Sequence, residues 1–243
     1  MVRCLADSAW MKRGAGLLIC SAITAGAHTY SNSCWPFLAE STAVPLRRAT
    51  HLLEAATVVL QFLVVVLIDE GRVASLVDGR RLDMRGMLDS CKVCGAARRA
   101  SWIAHHCRTC DVCIAGFDHH CTILGICVGR GNRPWFLALV SCAGTMLSCN
   151  AVAAVQACIA TEWEADGACY WPVLFEGFYG GVIILIGAYG ALLSALGLTQ
   201  YTATRGNIIA ALRLASSRGV KSCKWHAGWT HDHELEKLLA MSV

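Results

Sequence analysis

Charged side chains are scarce in this sequence of 243 residues. Asp, Glu, Lys and Arg make up only 16% of it, whereas about 25% is typical of a soluble domain. The mean hydropathy is correspondingly high, at +0.49. This composition argues against a soluble globule and predicts a protein that crosses a membrane several times. The net charge of +4 is small and gives no reason to expect a nucleic-acid partner.

Long stretches with little or no charge predict about four membrane helices. The first stretch has an alternative interpretation, because a basic start, a short apolar core and small residues at Ala25 and Ala27 are also typical of a cleaved signal peptide. A membrane anchor is favoured because the rest of the chain is also predicted to be embedded in the membrane. The four predicted helices are residues 14–30, 49–68, 135–160 and 177–204.

The distribution of positive charge predicts the orientation of these helices. The loop 69–134 holds ten of the 21 Lys and Arg residues, whereas the connection 161–176 holds none. Cytosolic loops carry an excess of Lys and Arg, so the loop 69–134 is predicted to be cytosolic. We therefore expect an all-α integral membrane protein with four parts: an N-terminal segment with two membrane helices (1–68), a cytosolic cysteine-rich domain (69–134), two further membrane helices (135–204) and a cytosolic tail (205–243).

Cysteine, by contrast, is abundant and clustered. Seven of the fifteen cysteines and four of the nine histidines lie between Cys91 and Cys127. Short Cys-x2-Cys pairs suit a tetrahedral zinc ion, and six of these cysteines with two histidines would fill two four-ligand sites. The clustering indicates metal binding in a reducing compartment rather than disulfides. Cys121 is left over, directly after Asp118, His119 and His120, where a base and a carboxylate could activate its thiol.

The spacing of these residues resembles the cysteine-rich domain of the DHHC protein S-acyltransferases, integral-membrane enzymes that attach palmitate to protein cysteines. The match runs from Cys91 to Phe136, and the flanking membrane segments fit it in outline. It consists of Cys-x2-Cys, His-Cys-x2-Cys-x2-Cys, Asp-His-His-Cys and Cys-Val-Gly-x2-Asn-x3-Phe. Such a pattern is specific, because the metal-type residues and the Asp-His-His-Cys tetrad must all fall in register.

The resemblance assigns a role to each of these residues. Cys121 would be the nucleophile that accepts the acyl group, His119 its base, and Asp118 the group that orients His119. His120 would turn the other way, onto a metal. Both metal sites would be full, and therefore structural rather than catalytic. The resemblance implies two Zn²⁺ ions, one held by Cys91, Cys94, His106 and Cys113, and the other by Cys107, Cys110, His120 and Cys127.

The implied reaction moves a long-chain acyl group from acyl-CoA, such as palmitoyl-CoA, through an acyl-cysteine to cysteines of substrate proteins. The implied partners are acyl-CoA, the lipid bilayer and membrane-associated proteins with cytosolic cysteines, with no nucleic acid. The site would face the cytosol from an endomembrane (Golgi or ER) or the plasma membrane. Four arginines near the site could contact CoA phosphates, although the positive-inside rule is the favoured explanation for each of them singly: Arg98, Arg99, Arg130 and Arg133.

The sequence also departs from the family pattern. The Pro-Trp-x-Asn-Asn that usually follows the tetrad is replaced by residues 122–126, and the nearest counterpart of the Thr-Thr-x-Glu motif is residues 208–211. That motif is thought to tie the tail to the catalytic domain. An alternative is therefore a catalytically weak, zinc-containing membrane adaptor of the same fold. The intact Asp118, His119 and Cys121 favour the enzyme.

Overall fold

The computed structural model of this protein describes residues 2–72, 87–99, 104–161 and 170–205. The predicted cytosolic tail lies outside this part, apart from its first residue, and so does the proposed counterpart of Thr-Thr-x-Glu at residues 208–211.

Helices make up most of the described chain. Three of them are long and apolar enough to cross a membrane, namely Glu40–Leu67, Arg133–Ala160 and Val173–Ala195. They coincide with the second, third and fourth predicted spans. The first predicted span lies on a helix that is not among these three, so the four-span arrangement stays a prediction. The helices are α1 (Val2–Cys34), α2 (Glu40–Phe62, extended by a π-helical turn, Leu63–Leu67), α3 (Arg133–Ala160), α4 (Tyr170–Ala195) and α5 (Gln200–Arg205), with a 3₁₀ turn at Trp35–Phe37.

The fourth long helix ends earlier than the sequence predicted. An uncharged run continues to Thr204, yet α4 stops at Ala195. Gly197 has a φ of +69°, a conformation that favours glycine. The Gly197 amide donates to Ser194 O (3.0 Å) and the Leu198 amide to Leu193 O (2.8 Å). This is the Schellman arrangement that terminates a helix, and it allows the chain to reverse before α5.

The cysteine-rich domain contains short β-hairpins, so the all-α expectation was wrong for this part of the chain. Close Cys-x2-Cys spacings favour tight reversals over helix, and each reversal joins two short antiparallel strands. Asp111, in the second reversal, has a φ of 55°, and Gly125, in the third, has a φ of 65°. The pairs are β1 (Met87–Ser90) with β2 (Ala97–Arg99), β3 (Ala104–Cys107) with β4 (Val112–Ala115), and β5 (His119–Cys121) with β6 (Ile126–Val128).

The chain divides into two compact units. One contains the cysteine-rich domain, from Ile68 to Arg133, with the N-terminal residues up to Ala9 and the chain from Gly190 onward. The other contains Trp10–Leu67 and Pro134–Tyr189, which is most of the helical part.

Small residues allow α3 and α4 to approach closely within the helical unit. A Cβ added at Gly144 would lie 2.9 Å from Ile184 Cγ1, and one added at Gly180 would lie 3.0 Å from the backbone nitrogen of Ser148. Gly187 is similarly close to Val140. The small residues at these positions therefore serve helix packing.

Candidate functional site

The β3–β4 hairpin contributes ligands to two separate Cys/His clusters. His106 lies opposite Cys113 across this hairpin. Adjacent strand residues point to opposite faces, so His106 and Cys107 belong to different clusters. In the first cluster, Cys94 Sγ is 3.5 Å from Cys113 Sγ, and His106 Nδ1 is 3.9 Å from Cys113 Sγ. The ligand atoms of this cluster all lie within 4.8 Å of one another: Cys91, Cys94, His106 and Cys113.

The second cluster joins the same hairpin to the next one. His120 lies opposite Cys127 across the β5–β6 hairpin. Its Nδ1 is 3.4 Å from Cys110 Sγ, 3.6 Å from Cys127 Sγ and 3.7 Å from Cys107 Sγ. The two sulfurs of Cys110 and Cys127 are 3.5 Å apart. The four ligand atoms again lie within 4.8 Å of one another, and they belong to Cys107, Cys110, His120 and Cys127.

Both clusters have the dimensions of a tetrahedral zinc site. Usual zinc bond lengths place two sulfurs about 3.8 Å apart, and a sulfur and a nitrogen about 3.6 Å apart. The measured separations, 3.5 Å between sulfurs and 3.4–3.9 Å between sulfur and nitrogen, lie close to these values. The ring of His106 presents Nδ1 to its cluster while Nε2 lies 3.3 Å from Asp111 Oδ1. A carboxylate in that place fixes the tautomer of a metal-bound histidine. The residues present therefore fit zinc.

The sulfurs in each cluster oppose one another's ionisation when no cation lies between them. Hydrogen bonds from Cys110 and Cys127 hold the pKa of the Cys107 thiol below its usual range. Hydrogen bonds from Cys107 and Cys110, together with burial, raise the pKa of the Cys127 thiol. In the other cluster, burial and the sulfurs of Cys94 and Cys91 raise the pKa of Cys113 to about 12. A divalent cation removes this conflict, because it allows every thiol to bind as a thiolate.

The β5 strand carries the candidate catalytic residues on the face opposite the metal ligand. His119 and Cys121 alternate with His120 along the strand, which turns His120 onto the second cluster. His119 Nδ1 lies 2.9 Å from Asp118 Oδ2, and the His119 ring also hydrogen-bonds the Cys121 thiol. Burial alone would lower the pKa of His119, but the bonds to Asp118 and Cys121 prevail and raise it to about 9.

Asp118 has two further partners that the sequence did not predict. Its Oδ1 accepts a hydrogen bond from the Gln200 backbone amide (2.7 Å) and lies 3.6 Å from Arg133 Nε. Arg133 in turn donates from Nη2 to Leu198 O (2.6 Å). Burial would raise the pKa of Asp118, but the His119 hydrogen bond, the Arg133 charge and the Gln200 amide hold it below its ordinary value. The carboxyl is therefore an ionised acceptor for His119.

This placement corrects one expectation from the sequence. Arg133 is 8% exposed and faces Asp118, so it is not available to CoA phosphates. Arg130 is exposed, and the side chains of Arg98 and Arg99 lie outside the described part of the chain. The expected loss of the tie between the tail and the catalytic domain stays a prediction, because residues 208–211 lie outside the described part of the chain. Residues 198–200, directly after α4, contact the site. The signal for this in the sequence was Gly197, which ends α4 and redirects the chain.

Aromatic packing reinforces this contact. The ring of Tyr201, on α5, lies 4.6 Å from the ring of His105 and meets Phe117 edge-on at 5.6 Å. His105 and Phe117 are themselves 4.7 Å apart. Within the described chain, His105 belongs to neither Cys/His cluster. Phe117 directly precedes Asp118, so this packing holds α5 beside the candidate catalytic residues.

The Cys-Val-Gly-x2-Asn segment stabilises the end of β6. Asn132 is fully buried, accepts from the Gly129 amide (2.9 Å) and donates to Cys127 O (2.9 Å). Space is tight here, since a Cβ added at Gly131 would lie 2.0 Å from Asp69 O. This motif therefore positions Cys127 at the second cluster through a side chain that binds the backbone on both sides of Val128.

Known proteins share this part of the chain. The sequence model of the DHHC palmitoyltransferase family matches residues 86–209, just over half of the chain. The palmitoyltransferase erf2 of Emericella nidulans is 34% identical over 101 residues, covering 42% of this chain and 16% of that protein. The human palmitoyltransferase ZDHHC18 is 34% identical over 99 residues, covering 40% and 24%. The human probable palmitoyltransferase ZDHHC24 is 54% identical over 43 residues, covering 17% and 15%. The chain thus spans less than a quarter of the length of these relatives.

Proposed function

Because this chain belongs to the DHHC palmitoyltransferase family, we propose that it is a protein S-palmitoyltransferase. It moves a long-chain acyl group from acyl-CoA, through an acyl-cysteine at Cys121, to cysteines of membrane-associated substrate proteins. The observation that carries the proposal is the continuous hydrogen-bonded series from the buried Asp118 through His119 to Cys121. This series is the arrangement that activates a cysteine nucleophile.

The first step is attack on acyl-CoA. With a pKa of about 9, His119 is protonated at neutral pH, and a positive charge beside a thiol favours its ionised form. The Cys121 thiolate attacks the thioester carbonyl, the carbon–sulfur bond to CoA breaks, and the CoA sulfur takes the proton of His119. The product is an acyl-enzyme thioester and free CoA.

The second step transfers the acyl group. The thiol of a substrate cysteine gives its proton to the now neutral His119 and attacks the acyl-Cys121 thioester. The Cys121 thiolate leaves and regains its protonated partner. One thioester replaces another in each step, so the exchange is nearly balanced, and the enzyme mainly supplies a thiolate and correct positioning.

Two Zn²⁺ ions would cross-link the domain that carries this series. The proposed ligands are Cys91, Cys94, His106 and Cys113 for one ion, and Cys107, Cys110, His120 and Cys127 for the other. Structural zinc sites supply folding free energy on the order of 10 kcal/mol each. Because His120 lies between His119 and Cys121, the second ion fixes the strand from which both catalytic side chains project.

The helices support a membrane location for the protein. Three of them are apolar enough to span a membrane, and the Lys and Arg content of the loop 69–134 supports a cytosolic site. We therefore expect a multi-pass protein of an endomembrane or the plasma membrane. A long acyl chain is poorly soluble in water, by about 0.8 kcal/mol per methylene, so a membrane is where this substrate is found.

The proposal is tested by labelling the purified protein with a clickable palmitoyl-CoA and measuring hydroxylamine-sensitive label. We expect label on the unmodified protein, none on Cys121→Ser and a strong reduction on His119→Ala. Cys142→Ser, a free cysteine on α3, is the matched control and should keep full label. Label that persists in Cys121→Ser would refute the proposed intermediate. A folded, zinc-replete protein that takes up no label would favour the adaptor alternative.

A further inference from the structure

Two histidines and a glutamate lie close together within the helical unit. The proposed acyl transfer uses none of them. His28 lies on α1, and His51 and Glu54 lie on α2. Glu54 Oε2 is 2.7 Å from His28 Nδ1 and 3.0 Å from His51 Nδ1. The two imidazole rings are 5.2 Å apart. The three ligand-type atoms all lie within 4.8 Å of one another, so one small cation could contact all of them.

One oxygen of each of two buried carboxyl groups at this place lacks the partner that burial demands. Glu54 is 7% exposed and Glu176, on α4, is 4% exposed. Glu54 Oε1 and Glu176 Oε2 have no hydrogen-bond partner among the residues that the structure describes. The two carboxyl groups are close enough to interact electrostatically, and Glu176 lines a largely apolar cavity. A buried carboxyl oxygen without a partner is costly, and such an atom indicates an ion or water that completes its surroundings.

We propose that His28, His51 and Glu54 bind a Zn²⁺ ion, as a third metal site separate from the two cysteine clusters. The two Nδ1 atoms and the Glu54 carboxylate supply three ligands, and water takes the fourth position, as in open zinc sites. Glu176 is not in the group of atoms within 4.8 Å, and it balances charge instead. Two carboxylates and one divalent cation are together neutral, which removes the conflict between the two buried acids.

The site needs only a small adjustment to accept the ion. Nitrogen and oxygen ligands of a tetrahedral zinc lie about 3.3 Å apart, so the present separations of 2.7 and 3.0 Å must widen slightly. The exposed faces of the two histidines, with side-chain exposures of 47% and 34%, allow the ion to reach the buried carboxylate. Because α1 supplies one ligand and α2 supplies two, the ion would tie these helices together.

Metal binding also sets the outer hydrogen bonds of the two rings. With Nδ1 on the metal, each Nε2 carries the proton and must donate. His28 Nε2 lies 2.9 Å from the Asn32 amide, whose oxygen can accept once the amide is rotated by half a turn. His51 Nε2 lies 3.4 Å from Arg47 Nε, a weak contact to an exposed side chain that is given up when the ion binds.

The test is the metal content of the detergent-purified full chain, measured by plasma mass spectrometry against protein quantified by amino-acid analysis. We expect about three zinc ions per chain, since two fill the cysteine clusters. Glu54→Gln and His51→Ala should each contain one ion fewer, with equal acyl labelling of Cys121 reporting an intact catalytic domain. Glu40→Gln, an exposed acid on the same helix, is the matched control and should keep all the zinc.

Two results would overturn this proposal. One is a finding of only two metal ions in the unmodified protein. This result does not depend on the folding of any variant, and it would mean that protons alone neutralise Glu54 and Glu176. The other is a third ion that persists in both Glu54→Gln and His51→Ala. The proposed acyl transfer is judged separately, because its readout is the label on Cys121.

Discussion

At the scale of single residues, Asp118 connects the candidate catalytic pair to the rest of its unit. It accepts from His119 through one oxygen and from the Gln200 amide through the other, with the Arg133 guanidinium close by. Three donors around a buried carboxyl favour its ionised form. Because the ionised form is what raises the pKa of His119, the protonation state of the base depends on residues distant in sequence from the Asp-His-His-Cys tetrad.

Asp118→Asn should change how acyl-enzyme formation depends on pH. Without the carboxylate, the pKa of His119 falls from about 9 towards its ordinary value of about 6.5. The unmodified protein keeps a protonated His119 from neutral pH up to about pH 9, so its labelling rate should be nearly constant there. In the variant, a neutral His119 no longer favours the thiolate at neutral pH. We therefore expect a rate about tenfold or more lower at neutral pH, rising as the pH increases.

The measurement is the initial rate of hydroxylamine-sensitive labelling at several pH values, with Cys121→Ser as the baseline. Parallel pH profiles for the unmodified protein and Asp118→Asn would show that Asp118 does not control the proton on His119.

At the scale of elements, the short helix α5 is tied to the site by its first residue. The Gln200 amide donates to Asp118 through the backbone, so the side chain of residue 200 is irrelevant to that bond. Gln200→Pro removes the donor, and proline is well tolerated at the first position of a helix. A hydrogen bond to a charged group contributes about 1.5–3 kcal/mol, so labelling should fall by about tenfold or more in the proline variant.

Gln200→Ala is the matched control, because it keeps the amide and should label as the unmodified protein does. Zinc content should be the same in both variants. If proline and alanine at residue 200 behave alike, the backbone bond to Asp118 contributes nothing to the site.

Two adjacent glycines on α4, Gly180 and Gly181, test how closely α3 and α4 pack. A Cβ at Gly180 would lie 3.0 Å from the nitrogen and Oγ of Ser148, whereas a Cβ at Gly181 has nothing within 4 Å. Gly180→Ala should therefore destabilise the helical unit by roughly 1–3 kcal/mol. Gly181→Ala should be neutral or stabilising, because alanine favours helix. Thermal unfolding in detergent reports the difference, and equal melting temperatures would mean that the two helices do not pack as closely as described.

The sequence predicted those elements that depend on local patterns. The spacing predicted enough metal-type residues for two sites, and the family resemblance assigned the two quartets and the roles of Asp118, His119 and Cys121. It did not predict that Arg133 and Gln200 meet Asp118. Those contacts depend on where α4 ends and how the chain then turns. A run of uncharged residues does not show where within it the helix ends. Gly197 was the sole local signal, and a lone glycine is ambiguous.

At the scale of the whole molecule, the two compact units depend on different sources of stability. The helices satisfy their backbone hydrogen bonds internally and need no ion to do so. In the described part of the cysteine-rich domain, the strands are three or four residues long, and an isolated two-stranded hairpin is marginally stable at best. We therefore expect its order to come largely from metal held by the two Cys/His clusters and from the aromatic packing around Phe117.

Loss of one cluster should consequently abolish activity while leaving the helices folded. Cys127→Ser removes a ligand that lies opposite His120 in the β5–β6 hairpin, and the released strand carries both His119 and Cys121. We expect about one zinc ion fewer per chain and no acyl-enzyme, with a far-ultraviolet circular dichroism signal close to that of the unmodified protein. Cys142→Ser on α3 should change none of the three. A collapse of the helical signal in Cys127→Ser would show that the helices depend on the metal as well, and an unchanged zinc content would show that Cys127 is not a ligand.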